Sequence, residues 1–339
     1  MTPAIFGLSG TVLGADERAF FRAADPAGYI IFGRNVESRE QLRALTDALR
    51  AIHGRERLLI TIDQEGGRVA RMKPPVWPAY PAAAAFDRLF DLAPASAIEA
   101  ARANAEALAH DLAEVGITCT HAPVLDVRQP GAHDVIGDRA LGHEPLRVAA
   151  LGRAVLEGLA AAGVAGTIKH IPGHGRAGAD SHKELPTVTA TDAELARDIA
   201  PFQALNHAPI GMSAHIRFTA WDGDHPATQS PFVIEQIIRR RIGFDGLLLT
   251  DDLDMEALTG SVPQRAQRAL AAGCDIALNC WAKLADMEGI AQLCPAITPA
   301  AQARLDRALA GTRVDGAAGR QAELVATRDA LLALVGAQA

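Results

Sequence analysis

Val164-Ala165-Gly166-Thr167-Ile168-Lys169-His170-Ile171-Pro172-Gly173-His174-Gly175 begins with five small, apolar or β-branched residues and ends in glycine, proline and histidine. The first part suits a pleated, buried strand. The second forces a backbone that is neither helix nor strand. The stretch therefore reads as a strand handing over to a loop, and the loop runs on to Asp180-Ser181-His182-Lys183. It collects three histidines, groups that change charge near neutral pH. Of 33 basic residues only four are lysine, and two of the four lie here. A chain that otherwise uses arginine has kept a compact ammonium in this loop. Such a loop reads as a chemical site, not as an ordinary polar connection.

The same figure repeats along the chain. Short apolar runs occupy residues 5–8, 28–32, 58–62, 117–125, 164–168, 210–215, 247–250 and 276–279. Amphipathic helical patterns separate them, notably over 97–115 and 146–162. Helix starts are signalled by capping boxes at Ser38-Arg39-Glu40-Gln41, Ser96-Ala97-Ile98-Glu99 and Thr191-Asp192-Ala193-Glu194, and by Ser230-Pro231. Eight strand-then-helix units with strands apolar on both faces imply an α/β fold, a closed (β/α)8 TIM-like barrel. A doubly wound open sheet is the alternative, but no G-x-G-x-x-G follows any run. Residues 1–297 are assigned to the barrel and 298–339 to a helical C-terminal extension packed on it. At or just past the ends of the runs stand Asp63, Asp126, Lys169, His170, His215, Asp251, Asp252 and Asn279. In a barrel these share the carboxyl rim, where active sites are built.

Composition narrows the partners. Hydrophobic residues at 49% with 22% charged describe an ordinary globular protein. A net charge of −7 with scattered arginines leaves no basic face for nucleic acid. No apolar run reaches the length of a membrane span. The four cysteines form no C-x-x-C pair and read as small buried hydrophobes in a reducing compartment. Met1-Thr2-Pro3-Ala4-Ile5-Phe6 lacks a basic region followed by an apolar stretch. A cytoplasmic monomer acting on a small molecule is expected, without cofactor.

Gly246-Leu247-Leu248-Leu249-Thr250-Asp251-Asp252 ends a strongly apolar strand in an acidic pair. A rigid, partly desolvated carboxylate there suits a nucleophile; Asp251 is read as chemical and Asp252 as a cap on the following helix. Asp180 lies two residues from His182, close enough to fix its tautomer and stabilise the imidazolium, as an acid/base requires. Asp63 can accept hydrogen bonds from vicinal hydroxyls, and Arg71 and Arg139 can donate to hydroxyl or carbonyl oxygens. Gly66-Gly67 is read as allowing close backbone approach to a ligand. Arg34 and Arg68 are read as structural ion pairs. Trp77, Trp221 and Trp281 each offer a stacking face. His170-x-x-x-His174 with Asp180 and His182 raises a metal site, but Pro172 and Gly173 forbid a helix between the first two, and no metal is assigned.

Asp63-Gln64-Glu65-Gly66-Gly67-Arg68-Val69, Lys169 through Gly175, Asp180-Ser181-His182 and Thr250-Asp251-Asp252-Leu253-Asp254-Met255, in this order over nearly the whole chain, resemble the family 3 glycoside hydrolases. Within that family they are most similar to the bacterial β-N-acetylglucosaminidases of peptidoglycan recycling. The resemblance implies a barrel that hydrolyses terminal β-linked N-acetylglucosamine from muropeptides in two steps with retention. It implies Asp251 as nucleophile, His182 as proton donor and acceptor with Asp180 as partner, and Asp63, Arg71, Arg139, Lys169 and His170 as the sugar-binding set. Ile171 stands where an aromatic is common and Asp254 where serine is common. A phosphorylase using phosphate in place of water, a metal-dependent hydrolase and a non-catalytic sugar-binding barrel are the competing readings. Gly173, Gly175 and Gly178, just ahead of the acid, are expected to let its loop close over substrate.

Overall fold

Each of the eight apolar runs forms a strand, and the strands close on one another. In the computed structural model, which describes residues 1–314 and 320–336, they are Thr2–Gly7 (β1), Pro26–Ile31 (β2), Leu59–Ile62 (β3), Cys119–Thr120 (β4), Ala165–Ile171 (β5), Ile210–Ser213 (β6), Leu247–Asp252 (β7) and Ile276–Asn279 (β8). All pairings are parallel, each strand lies beside its sequence neighbour, and β8 returns to β1 through Ala4↔Ala277 and Phe6↔Asn279. This is a closed barrel, not the open doubly wound sheet. A separate small sheet pairs Thr187–Val188 with Arg217–Phe218 at the rim.

Helices follow the strands in turn: Ala15–Ala24 (α1), Arg39–His53 (α2), Ala84–Leu92 (α3), Pro94–Glu114 (α4), Pro145–Ala161 (α5), Asp192–Ala204 (α6), the π-helical Val233–Ile242, Val262–Ala272 (α7) and Leu284–Leu293 (α8). Ser38 caps α2 by accepting from the Gln41 N–H at 3.1 Å, Thr191 closes a full capping box with Glu194, and Ser230 accepts from the Val233 N–H at 3.1 Å. The box expected at Ser96 does not form. Pro94, pre-set for a first helical turn, starts α4 two residues earlier, and Glu99 pairs instead with Arg102. The run 117–125 yields only the two residues of β4, because Pro123 has no N–H to give the ladder.

Barrel interior and barrel base differ in what fills them. Ile5, Ile30, Leu59, Met212, Leu249 and Leu278 pack inside. Across the amino-terminal end lies Pro299–Leu309 (α9), whose Leu305, Ala308 and Leu309 join that cluster. Gln321–Gly336 (α10) lies on α3 and α4, where Arg328 donates to Asn104 Oδ1 at 3.1 Å. Of the expected extension 298–339, residues 315–319 and 337–339 lie outside the described residues. No described helix is long and apolar enough to cross a membrane.

The plug at the base contributes stability without touching the rim. Leu305, 2% exposed, leaves a cavity when cut to alanine. Leu305→Ala should lower the urea-unfolding free energy by about 3 kcal/mol and leave kcat/KM within twofold of wild type.

Candidate active site

A cavity of about 360 Å³ opens at the carboxyl rim, lined by Asp63, Arg71, Arg139, Lys169, His170, His182 and Asp251. Seven of the eight residues expected at the site therefore share one space, and the eighth, Asp180, holds one of the seven. Residues from β3, β5, β7 and two long loops meet here only because the barrel closes.

The floor is an ion network. Lys169, at the end of β5, is buried, with Nζ 2.6 Å from Glu65 Oε1 and 4.0 Å from Asp63 Oδ1. Glu65 also accepts two parallel hydrogen bonds of 2.8 Å from Arg139, and Asp63 accepts one of 2.7 Å from Arg71. Burial would raise both carboxylates, but the facing cations outweigh it: Lys169 and Arg139 hold Glu65 at about 2, and Lys169, His121 and Arg71 hold Asp63 below its ordinary value. The motif by itself gives Glu65 no role. Its signal is the period-two alternation carried past Ile62, which sends Asp63 and Glu65 the same way.

His170 is set by Asp126, a fully buried carboxylate that meets His170 Nδ1 at 2.7 Å. The other Asp126 oxygen accepts from the backbone N–H of His170 at 3.1 Å and of His174 at 2.6 Å. One carboxylate thus ties the end of β5 to the loop beyond it. His174 Nε2 lies 3.2 Å from Ser181 Oγ, which carries the link to the residue before His182. His182 is the exposed member, its side chain 63% accessible. Asp180 Oδ1 accepts from the His182 backbone N–H at 3.0 Å and meets its Nδ1 at 2.8 Å, leaving Nε2 toward the cavity.

Asp251 ends β7. Burial acts to raise it, but His170, His215, the Asp252 N–H at 2.8 Å and Lys169 together hold it below the ordinary carboxylate value. Asp252 is driven the other way, well up, by burial and by Asp254 and Asp251. No helix follows it directly, so it does not cap one. Its Oδ1 accepts from the Asp254 and Cys280 N–H groups at 3.1 and 3.2 Å, fastening a turn.

The remaining expected positions divide between support and cavity. Gly66 and Gly67 face the chain, not a ligand: a Cβ on Gly66 would sit 2.3 Å from Pro81 O. Of the three glycines ahead of His182, Gly175 is needed for space, since a Cβ there would lie 1.9 Å from Val127 O, while Gly178 has open surroundings. Arg68 is structural, bonded to Asp138 at 2.9 Å, whereas Arg34 donates to Leu8 O at 2.7 Å and also lines the cavity. The histidine cluster does not converge on a metal; among the described residues no group of three or more His, Cys, Asp or Glu does. Trp77 is buried, Trp221 bonds Asp192 at 2.6 Å, and Trp281 lines the cavity mouth.

Comparison with known proteins agrees with this architecture. The glycosyl hydrolase family 3 N-terminal domain matches residues 14–314, and the chain belongs to that family of glycoside hydrolases. The β-hexosaminidase of Bordetella pertussis (strain Tohama I) is 40% identical over 291 residues, covering 84% of this chain and 81% of that protein. NagZ from Neisseria gonorrhoeae, in complex with N-trifluoroacetyl-D-glucosamine, matches with a TM-score of 0.89 over 98% of each chain at 30% identity. A family 3 β-N-acetylglucosaminidase from Paenibacillus sp. str. FPU-7 matches with a TM-score of 0.81 at 32% identity, over 97% of this chain and 61% of that one.

The Glu65 network makes a pH prediction. Its carboxyl falls from an ordinary 4.5 to about 2 on folding, so its stabilisation is full above about 4.5 and is lost as pH falls through about 2. Urea midpoints measured across that window should fall more steeply in wild type than in Glu65→Gln. At neutral pH the variant should be the less stable, since two buried cations lose their anion.

Proposed function

We propose that the chain is a retaining exo-β-N-acetylglucosaminidase, a β-hexosaminidase that releases terminal β-linked N-acetylglucosamine from peptidoglycan-derived muropeptides. The observation that carries the reading is that Asp251 and the Asp180-supported imidazole of His182 line one cavity from separate elements. Asp251, kept ionised by the surrounding imidazoles, attacks the anomeric carbon. His182, as imidazolium, gives its proton to the departing oxygen as the glycosidic bond breaks, leaving a glycosyl ester on Asp251. Neutral His182 then takes a proton from water, whose oxygen attacks the anomeric carbon and frees Asp251. The exposure of His182 suits a group that meets both a leaving sugar and incoming water.

The floor supplies the sugar contacts. Asp63 accepts from vicinal hydroxyls, and Arg71, Arg139, Lys169 and His170 donate, each already oriented by a carboxylate. The names of the relatives support a hexosaminide as the bond cleaved. Four unbridged cysteines support the cytoplasmic assignment, and with it the recycling of cell-wall fragments.

Intact mass after incubation with a fluorinated N-acetylglucosaminide tests the covalent step. A single glycosyl adduct mapping to Asp251 is expected; full activity with no adduct would sink it in favour of participation by the substrate's acetamide. His182→Ala should lower kcat/KM on a disaccharide by about 10²–10⁴-fold, and by less on an aryl glycoside whose leaving group needs no proton. Added phosphate should leave the rate unchanged; acceleration with release of the 1-phosphate would make the chain a phosphorylase.

A further inference from the structure

Arg71 is the least tied of the three floor cations. Arg139 gives Glu65 two bonds of 2.8 Å and Val135 O a third of 3.2 Å, and Lys169 Nζ stands 2.6 Å from Glu65. Arg71 makes one side-chain bond among the described residues, from a terminal nitrogen to Asp63 Oδ2 at 2.7 Å. Its Nε is buried and has no hydrogen-bond partner among them. Gln64 Oε1 fixes the backbone, accepting from the N–H groups of Arg71 and Met72 at 2.8 and 3.0 Å. That leaves the guanidinium at the end of a flexible stem, which a single bond holds loosely. Phe32 supplies the second restraint. Its ring centre lies 4.9 Å from Arg71 Cζ, and Arg34 Cζ lies 5.0 Å from the same centre.

The ring is itself braced. Phe32 directly follows β2 and is half-buried against the cluster that fills the barrel. Its N–H donates to Oδ1 of the fully buried Asn35 at 2.9 Å, and Asn35 Nδ2 donates to Leu8 O and Gly10 O at 3.0 and 2.8 Å. Arg34 Nε donates to Leu8 O at 2.7 Å, and another Arg34 nitrogen donates to Cys280 O. Leu8 and Cys280 directly follow β1 and β8, so the series of contacts starts at the seam where the barrel closes. We infer that Phe32 is a positioning residue for Arg71: the ring face holds the guanidinium in place against Asp63, ready to donate to a sugar oxygen. The inference rests on the glycosidase reading and adds to it a residue with no polar group of its own. A guanidinium attracted to a ring face spends none of its N–H groups, whereas a further carbonyl or carboxylate partner would use them up. Phe32 and Arg71 both line the cavity, so the restraint acts beside the sugar.

The test uses the full chain, with an aryl N-acetyl-β-glucosaminide for rates and calorimetric titration with N-acetylglucosamine for binding. Phe32→Leu should lower kcat/KM about fivefold and raise the Kd for the sugar by the same factor. Phe32→Met, which also lacks an aromatic face, should match it, and Phe32→Tyr should regain most of the loss. Coupling to Arg71 is the decisive readout. Arg71→Met weakens catalysis and binding by itself, and adding Phe32→Leu to it should change kcat/KM by no more than about twofold. A further loss equal to that of Phe32→Leu alone would mean that the ring acts independently of Arg71, and would overturn the inference. So would wild-type values in Phe32→Leu, or a Phe32→Tyr no better than Phe32→Leu. If wild type binds the sugar but does not cleave the glycoside, the glycosidase reading fails, and the same comparison made on Kd decides the role of Phe32. If wild type binds and cleaves but the two substitutions are not coupled, only the role of Phe32 is refuted. Thermal melts that match wild type exclude collapse of the rim.

Discussion

A lysine ammonium with 4% of its side chain accessible is costly to bury unless carboxylates meet it, and the arrangement around Lys169 follows from that requirement. Glu65 closes on Lys169 at 2.6 Å and takes Arg139 in two further bonds, while Asp63 is shared with Arg71. Two anions and three cations, drawn from two strand ends and two loops, pair with one another at the base of the cavity. Each leaves polar valences unused by its partner. A sugar whose hydroxyls fill those valences meets groups that need little rearrangement, which is where binding free energy in a polar site originates.

From that floor a second chain of contacts runs outward to the acid/base candidate. Asp126, with no accessible surface, holds His170 and the backbone of His174; His174 reaches Ser181; Asp180 holds His182. Burial falls along the path, from a carboxylate in the barrel wall to an imidazole more than half exposed. The gradient fits the chemistry proposed. A nucleophile gains from rigidity and a fixed electrostatic field, whereas an acid/base must exchange protons with a sugar and then with water.

The acidic pair on β7 shows how environment separates like residues. Asp251 faces imidazoles, an amide and an ammonium and stays ionised; Asp252 faces carboxylates and is pushed toward its protonated form. Divergent environments for adjacent carboxyl groups are how a site assigns distinct roles to the same side chain. Asp252 and Asp254 are spent on the backbone between β7 and β8, and so decide where the rim residues after β8 stand.

Much of this was legible before any coordinates. Eight apolar runs declare a parallel sheet covered on both faces, because a strand buried on both faces has few other places to go. The type of residue at each run's end names the chemistry, since imidazole, carboxylate and ammonium at a barrel rim have a short list of uses. The sequence pattern could not say which rim residue faces the cavity and which stands behind. Asp126, His215 and Asn279 end runs just as Asp63 and Asp251 do, yet they anchor neighbours. Glu65 looked incidental and carries two cations; Ser96 looked like a cap and lies within a helix. These outcomes depend on distances between residues remote in the chain, and only closure of the barrel sets those distances. Local pattern determined the elements and the kinds of group available. Tertiary contact decided which of those groups share a surface, because Coulomb and hydrogen-bond energies depend on separation in space, not along the chain.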